Sequence, residues 1–345
     1  MNNILEEDFT RIVSEYDFSA LKGKSIFITG ATGLIGSELL LFLHYLNLNY
    51  GYKMELYALV RNKEKVMKVF GNELESYSIH FVYGDVLALP QIDARIDYII
   101  HGASITASKQ FIERAVETID IAVNGTLNLL KFAKKKNVAS FVYLSSMEAF
   151  GVTDGKGMVR EEDLGYIDIS NPRSSYMESK RMCENLCVCF AHEYGLNTKS
   201  IRLTQTLGAG IDYNDTRVAA YFARSVLEGS DIVLKTEGKT KRPILYSSDA
   251  ITAILTVLLK GKLGNIYTAA NPQTFATIRE TAEMVAEKIA EGKIKVDFDI
   301  AVPAEYAPNL NLNLNVDKLC SLGWKPTVGL EDAYRRMIAG MGRGY

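Results

Sequence analysis

Tyr176 and Lys180 stand four residues apart, a spacing that suits an acid–base pair. In a helix this spacing puts both side chains on one face, one turn apart. A lysine ammonium can lower the pKa of a neighbouring phenol, and the phenolate can then take a proton from an alcohol. Ser146, just after an apolar run, can hydrogen-bond an oxygen that alternates between alcohol and ketone. Since a tyrosine and a lysine often occur at this spacing by chance, the pair needs support elsewhere in the chain.

A glycine-rich turn gives that support. Gly30, Gly33 and Gly36 follow the apolar run Ser25–Thr29 and lead into a largely apolar stretch, 34–46. Glycine is required where a chain reverses tightly, where backbone approaches a phosphate and where a helix meets a sheet. The free N–H groups of such a helix start favour a pyrophosphate. The turn lies about 140 residues before the Tyr–Lys pair, and together they predict a dinucleotide-dependent redox site.

Strand and helix signals alternate along the first two thirds of the chain. Apolar strands without period-2 alternation, separated by helices, indicate a parallel sheet covered on both faces. We therefore expect an α/β protein with a doubly wound parallel sheet of about seven strands and a ligand at the strands' carboxyl ends. The predicted strands are 26–28, 55–60, 79–83, 98–101, 140–144 and 198–203, and the predicted helices are 34–46, 63–70, 112–136, 176–194 and 250–259.

The sequence pattern changes near residue 206, after which the predicted elements are shorter and are separated by glycines. We expect an N-terminal helical arm (1–22), a dinucleotide-binding domain with the catalytic residues (23–205), and a mainly substrate-binding lobe (206–345) with segments that return to the core. The loop 152–175 is expected to contribute to the lobe. Alternating Asn and Leu residues in 309–316 predict a short extended segment.

Composition argues against several other classes of protein. With a net charge of −2 and no basic stripe, the chain is not expected to bind nucleic acid. Because no run reaches the ~18 apolar residues of a membrane helix, and the N-terminal region is acidic, we expect a cytoplasmic protein without a membrane partner. Four cysteines predict neither a disulfide scaffold nor a metal site.

The motifs resemble the extended branch of the short-chain dehydrogenase/reductase superfamily, which is rich in nucleotide-sugar epimerases, dehydratases and decarboxylases. The turn has the GxxGxxG spacing, and Ser146 stands four residues before Phe150-Gly151. The resemblance implies a Rossmann-like fold, a catalytic triad of Ser146, Tyr176 and Lys180, and a nucleotide-diphosphate sugar as substrate. It also implies a homodimer through helices 112–136 and 176–194. Further matching segments are Gly84-Asp85-Val86, His101-Gly-Ala103-Ser104, Asn124-Gly-Thr126 and 317–326.

The identity of the cofactor depends on Arg61. Relatives that use NAD place an aspartate at the end of the second strand, where this chain has arginine. Arginine would bind a 2′-phosphate that a carboxylate would repel, so we expect NADP, with NAD as the alternative. The cofactor-binding residues that the resemblance implies are Gly30, Thr32, Gly33, Leu34, Ile35, Gly36, Arg61, Asp85, Val86, Ala103, Tyr176 and Lys180.

Four more residues bear on the substrate. Glu148 matches a functional glutamate of sugar 4,6-dehydratases and UDP-glucuronate decarboxylases, and its alternative is a solvent-facing loop carboxylate. Arg242, and Arg217 in an NDxRV stretch, match arginines that contact the diphosphate or sugar in relatives, a role that suits the planar guanidinium. The expected substrate-binding residues are these two arginines, Ser146 and Gln205, which replaces a common asparagine, whereas Glu148 is expected to be catalytic. Met147 stands where thymidine-type dehydratases carry an acidic aspartate.

The resemblance therefore implies an enzyme that oxidises C4 of a nucleotide sugar. The resulting ketone acidifies the neighbouring C–H and labilises a carboxylate on C5, so decarboxylation, dehydration and epimerisation all remain open. A simple 4-epimerase or a 4-keto reductase is the alternative within this class. In another class, the chain would be a non-catalytic NADP-binding sensor or scaffold.

Overall fold

The computed structural model describes residues 3–71, 78–153, 157–300 and 310–342. Its helices are α1 (Asn3–Glu15), α2 (Leu34–Tyr50), α3 (Lys63–Phe70), α4 (Ser108–Glu113), α5 (Ala115–Lys136), α6 (Ser174–Tyr194), α7 (Val218–Glu228), α8 (Ser247–Lys260), α9 (Ile278–Met284), α10 (Asp317–Cys320) and α11 (Leu330–Met341). Its strands are β1 (Ser25–Thr29), β2 (Glu55–Val60), β3 (Ile79–Tyr83), β4 (Tyr98–His101), β5 (Ser140–Ser146), β6 (Thr198–Leu203), β7 (Gln205–Leu207), β8 (Ile232–Leu234), β9 (Lys241–Arg242), β10 (Ile244–Tyr246), β11 (Ile266–Ala269), β12 (Ala276–Thr277) and β13 (Val296–Phe298).

Seven strands form one sheet in the order β3-β2-β1-β4-β5-β6-β11, and each neighbouring pair is parallel. The order reverses between β1 and β4, where a doubly wound sheet opens a crevice at its carboxyl edge. Strand β1 is buried along its whole length, which explains the apolar run 26–28. Strand β6 is also buried throughout, although it carries Lys199 and Arg202. The prediction of a doubly wound, Rossmann-like α/β fold is confirmed.

Helices cover both faces of this sheet. Ile26 and Ile28 of β1 pack into a core with α1, α2 and α8, whereas Phe27 between them packs into a second core with α5 and α6. This alternation follows from strand geometry, since successive side chains point to opposite faces. The sheet is therefore anchored on both sides, and its carboxyl edge is a rigid platform for a site.

A third core lies after residue 206 and joins α7, β8, α11 and the π-helical turn Val285–Ile289. Strand β8 pairs with β13, and β9 pairs with β12. The chain between these elements returns to the main sheet, because β11 pairs with β6. The division into domains at residues 22 and 205 stays a prediction.

Helix α1 packs against α2, α8 and α11. Phe9 is fully buried, with its ring centre 5.4 Å from that of Phe42. Asp8 is also buried and accepts hydrogen bonds from Tyr246 Oη at 2.8 Å and from Arg336 Nη1 at 3.0 Å. These contacts make α1 part of the main core.

Two expected elements differ in the structure. The predicted helix 112–136 is wrong as a single element: it is divided into α4 and α5 at Arg114, whose φ of −130° and ψ of 43° are not helical. Tertiary contacts hold α4 separately, since the Phe111 carbonyl accepts a hydrogen bond from Ser175 Oγ at 2.9 Å. In the predicted segment 309–316, residue 309 lies outside the described residues, and Asn311 and Leu314 form β-bridges with Lys241 and Val159. Among the described residues, no helix is long and apolar enough to cross a membrane.

Candidate active site

The glycine-rich turn connects β1 to α2 at the point where the strand order reverses. Gly30 has a φ of +73°, and a Cβ there would lie 2.6 Å from the backbone of Gly102. A Cβ on Gly36 would lie 2.3 Å from the Gly30 carbonyl oxygen. Both positions therefore require glycine. Gly33 is the N-cap of α2 and provides no side-chain cap, which leaves the helix start accessible to a phosphate.

The other predicted cofactor residues lie along the same edge of the sheet. Thr32, Leu34 and Ile35 are partly exposed in the turn and the first turn of α2. Arg61 directly follows β2; its side chain is 66% exposed, and its Nη1 lies 3.5 Å from Asp85 Oδ2. Val86 is buried against Gly125, and the Ala103 N–H donates to Thr29 Oγ1 at 3.2 Å. A tight glycine turn, an uncapped helix start and an exposed arginine at the end of β2 fit a dinucleotide.

The three predicted catalytic residues meet where β5 ends and α6 begins. The Ser146 hydroxyl acts on the phenol of Tyr176 and lowers its pKa. Ser146 Oγ also accepts the N–H of Glu148 at 3.2 Å, which leaves the Ser146 proton free to be donated. Lys180 Nζ donates to the Leu144 carbonyl at 2.8 Å and lies 5.4 Å from the centre of the Tyr176 ring.

Electrostatics at Tyr176 bear on one expectation. Burial raises the pKa of Tyr176 to about 12, while the Ser146 hydrogen bond acts in the opposite direction. Burial also lowers the pKa of Lys180 to about 8. Burial thus opposes the phenolate that was expected at neutral pH, and the groups that favour the phenolate in this structure are Ser146 and Arg217.

Phe111 explains part of this burial. Its ring stacks on that of Tyr176 with centres 4.2 Å apart and planes 7° apart. Both residues are buried, so the phenol lies against an apolar wall on one face. Phe111 was not predicted as a site residue, because nothing in a lone phenylalanine outside the motifs indicates a contact with Tyr176.

Glu148 lies inside a cluster of charges. Its carboxylate pairs with both terminal nitrogens of Arg173 at 3.4 Å, and both side chains are less than one-fifth exposed. Burial lowers the pKa of Arg242, and the charge of Glu148 partly offsets this effect. Arg242 Nη2 donates to Gln205 Oε1 at 2.8 Å. Glu148 is thus a paired, largely buried carboxylate that faces two arginines, and it does not fit the alternative of a solvent-facing loop residue.

Arg173 was missed as a site residue, although the sequence carried a signal. Arg173 lies three residues before Tyr176, at the start of α6, so the helix brings both side chains to the same cleft.

Arg217 is the N-cap residue of α7 and is bound to Asp215 through Nε at 2.9 Å and Nη2 at 2.6 Å. The charge of Arg217 also lowers the pKa of Tyr176, which places its guanidinium within electrostatic reach of the phenol. Across the described part of the chain, no group of three or more His, Cys, Asp or Glu residues is arranged to hold a metal ion.

Residues 26–270 match the model of the NAD dependent epimerase/dehydratase family. UDP-glucuronic acid decarboxylase 1 of Xenopus tropicalis is 26% identical over 337 residues, which cover 97% of this chain and 76% of that protein. The dTDP-D-glucose 4,6-dehydratase of Mus musculus is 25% identical over 334 residues, which cover 91% of this chain and 88% of that protein.

Solved structures share the fold at lower identity. An epimerase from Methanothermobacter thermautotrophicus has a TM-score of 0.79 at 21% identity, with 97% of this chain and 96% of that chain covered. A dTDP-glucose 4,6-dehydratase from Bacillus anthracis in complex with NAD has a TM-score of 0.74 at 19% identity, covering 93% and 97%. RMD from Pseudomonas aeruginosa, complexed with NADPH, has a TM-score of 0.72 at 21% identity, covering 93% and 99%.

Proposed function

Because the chain belongs to the NAD-dependent epimerase/dehydratase family, we propose that it is an enzyme that oxidises C4 of a nucleotide-diphosphate sugar and then decarboxylates the sugar at C5. The observation that carries the choice of reaction is the pairing of Glu148 with Arg173 beside Arg242. Relatives over nearly the whole chain are UDP-glucuronic acid decarboxylases, which supports a uronic acid as the sugar.

The first step uses the residues at the end of β5 and the start of α6. A nicotinamide, when bound, supplies the hydride acceptor. Tyr176 takes the proton of the C4 hydroxyl, and Ser146 donates a hydrogen bond to the same oxygen as it becomes a carbonyl. Lys180, held by the Leu144 carbonyl, keeps a positive charge near the phenol. Phe111 excludes water from one face of Tyr176.

Three arginines, Arg173, Arg217 and Arg242, suit the second step, which is the decarboxylation. A guanidinium binds a carboxylate in two-point fashion, and Arg173 already holds the Glu148 carboxylate in this way. A C5 carboxylate could replace Glu148 on Arg173, and the freed Glu148 could then move a proton at C5 after carbon dioxide leaves. Arg242 and Arg217 would hold the diphosphate, the latter after exchanging Asp215 for phosphate oxygens.

Dehydration has less support. Met147, where thymidine-type dehydratases have an acid, is buried and its sulfur contacts Thr204 Oγ1 at 3.1 Å, so it offers no proton. Simple 4-epimerisation is the second candidate, since it needs Ser146, Tyr176 and Lys180 but not Glu148. A non-catalytic sensor would keep the cofactor site without any turnover.

Product masses from a panel of UDP-, dTDP-, GDP- and CDP-linked sugars and uronic acids test these alternatives. We expect loss of carbon dioxide alone from a uronic acid, because the hydride taken from C4 would return to C4 after carbon dioxide has left; loss of water would indicate dehydration, and an unchanged mass with altered chromatography would indicate epimerisation. Glu148→Gln should lower the decarboxylation rate about 10²–10⁴-fold, as expected for loss of an acid–base group. The matched control is Glu178→Gln, which removes a carboxylate of α6 that pairs with Arg181. Decarboxylation unaffected by Glu148→Gln would contradict the role of Glu148.

We propose NADP as the cofactor, with NAD as the alternative, because Arg61 is exposed at the end of β2. Arg61→Ala should weaken NADP binding by roughly tenfold or more, since a charged hydrogen bond contributes about 1.5–3 kcal/mol. NAD affinity is the internal control and should change little. Equal effects on both dinucleotides in a fluorescence titration would show that Arg61 does not recognise the 2′-phosphate.

We also propose a homodimer through α4, α5 and α6. Their apolar residues divide into two sets: Leu130 and Phe190 are buried towards the sheet, whereas Val116, Ile119 and Met182 are 82%, 46% and 49% exposed. A second copy would cover the exposed set, as exposed apolar patches mark interaction sites. Sedimentation at about twice the chain mass of 38.4 kDa is expected, and a monomer at micromolar concentration would contradict the proposal.

A further inference from the structure

A line of buried side chains connects the cofactor edge of the sheet to the catalytic helix. The Ala103 N–H donates to Thr29 Oγ1 at 3.2 Å, and Thr29 Oγ1 lies 2.7 Å from Nδ1 of His101. His101 Nε2 lies 3.0 Å from Thr126 Oγ1, which donates to Cys183 Sγ at 3.3 Å. Thr29, His101, Thr126 and Cys183 are each no more than 1% exposed.

These contacts fix the direction of the hydrogen bonds. Cys183 donates its thiol proton to the Ala122 carbonyl at 3.2 Å, so its sulfur is free to accept from Thr126. Because Thr126 has one proton and gives it to sulfur, its oxygen must accept from His101 Nε2–H. Nδ1 then accepts from Thr29. A single neutral tautomer, with the proton on Nε2, therefore satisfies every polar group in the line.

The environment of His101 agrees with a neutral ring. Burial lowers the pKa of His101 to about 3, and the Lys180 charge acts in the same direction. Cys183 lies three residues after Lys180 in α6, so the sulfur belongs to the helical turn that follows the catalytic lysine. One end of the line thus holds the loop at Ala103, and the other end holds α6.

We propose that His101 is a positioning residue, whose Nε2–H tautomer, acting through Thr126 and Cys183, sets the placement of Tyr176 and Lys180 relative to the dinucleotide-binding loop. The role rests on the proposed function, since it concerns hydride transfer at Tyr176. Misplacement of a catalytic group by about 1 Å can cost ~10² in rate, so a hydrogen-bonded link between the two sides of the site has a direct effect on catalysis.

The first test needs no substrate. Nitrogen-15 spectra of the imidazoles can be assigned with few variants, because the chain has four histidines. We expect the His101 signals, identified as those lost in His101→Asn, to be those of the Nε2–H tautomer at neutral pH. An Nδ1–H tautomer or a doubly protonated ring would overturn the proposal.

The second test compares isosteric and conservative variants of Thr126. Thr126→Val keeps the shape but removes the hydroxyl, and should lower the single-turnover rate of hydride transfer at least about tenfold while cofactor affinity stays within about twofold. Thr126→Ser restores the hydroxyl and should recover the rate to within about threefold. Cys183→Ala and Cys183→Ser form an equivalent pair if Thr126→Val does not fold. Equal rates for the valine and wild-type proteins, or equal losses for the valine and serine variants, would show a merely structural role.

A third measurement separates this proposal from the proposed function. In protein with carbon-13-labelled tyrosine, the phenol signal that disappears in Tyr176→Phe reports directly on the catalytic ring. That signal should shift in Thr126→Val and return to its wild-type position in Thr126→Ser. If no nucleotide sugar is turned over, the proposed function fails, and this spectrum still decides the role of His101: an unmoved signal in Thr126→Val overturns it.

Discussion

Tyr176→Phe is expected to lower hydride transfer by about 10²–10⁴-fold, the usual effect of removing a general acid–base group. The substitution removes one oxygen and keeps the ring, so the stack on Phe111 at 4.2 Å survives. Ser146 loses its phenol partner, but its oxygen still accepts the Glu148 N–H. The substitution should therefore slow hydride transfer, while the protein stays folded and its cofactor affinity stays close to wild type.

Single-turnover absorbance at the nicotinamide band measures this effect, and a binding titration checks the cofactor. Tyr16→Phe is the matched control, because its hydroxyl donates to the Lys325 carbonyl and belongs to neither β5 nor α6. The control should react at the wild-type rate. Wild-type turnover by Tyr176→Phe would remove Tyr176 from the mechanism.

Arg202→Met is expected to lower the free energy of unfolding by about 3–5 kcal/mol, the typical cost of leaving a buried charge without its partner. Arg202 Nε and Nη2 donate to the two oxygens of Glu184 at 2.9 and 2.8 Å. Ser145 Oγ donates to the same carboxylate at 2.5 Å. Both charged side chains are at most 4% exposed, so water does not replace the lost guanidinium.

Urea unfolding gives the free energy, and Arg335→Met is the control. Arg335 pairs with Glu331 one turn away on α11, and both side chains are more than two-fifths exposed. Exposed pairs of this kind contribute about 0.3–0.5 kcal/mol. Equal stability of the two arginine variants would show that the buried pair of Arg202 on β6 and Glu184 on α6 does not stabilise the fold.

The sequence predicted the fold well where local pattern and tertiary structure agree. The bounds of β2, α3, β3, β4 and β6 were predicted from local pattern, and β1 extends the predicted strand 26–28 by one residue at each end. The apolar run of β4 is typical of a strand buried between helices, which makes such a strand easy to predict. The glycine turn was predictable for the same kind of reason: its glycines serve backbone contacts that local sequence encodes.

The misses come from contacts between distant segments. Nothing near Arg114 resembles a helix breaker, and the division of α4 from α5 accompanies the contact of Phe111 with Ser175 and Tyr176, more than 60 residues later. The raised pKa of Tyr176 was not predicted, because the burial that causes it depends on that same contact. The catalytic roles of Ser146, Tyr176 and Lys180 remain predictions, which the convergence of the three residues at one edge of the sheet supports.

The pairing of β11 with β6 has a consequence for synthesis on the ribosome. Ser200 of β6 pairs with Ile266 of β11, so the edge of the sheet stays open until residues well beyond β6 have emerged. An edge strand with unpaired N–H and C=O groups is a template for aggregation. Nascent chains that stop between β6 and β11 should therefore be the species that chaperones hold most tightly, and release should follow once β11 closes the edge.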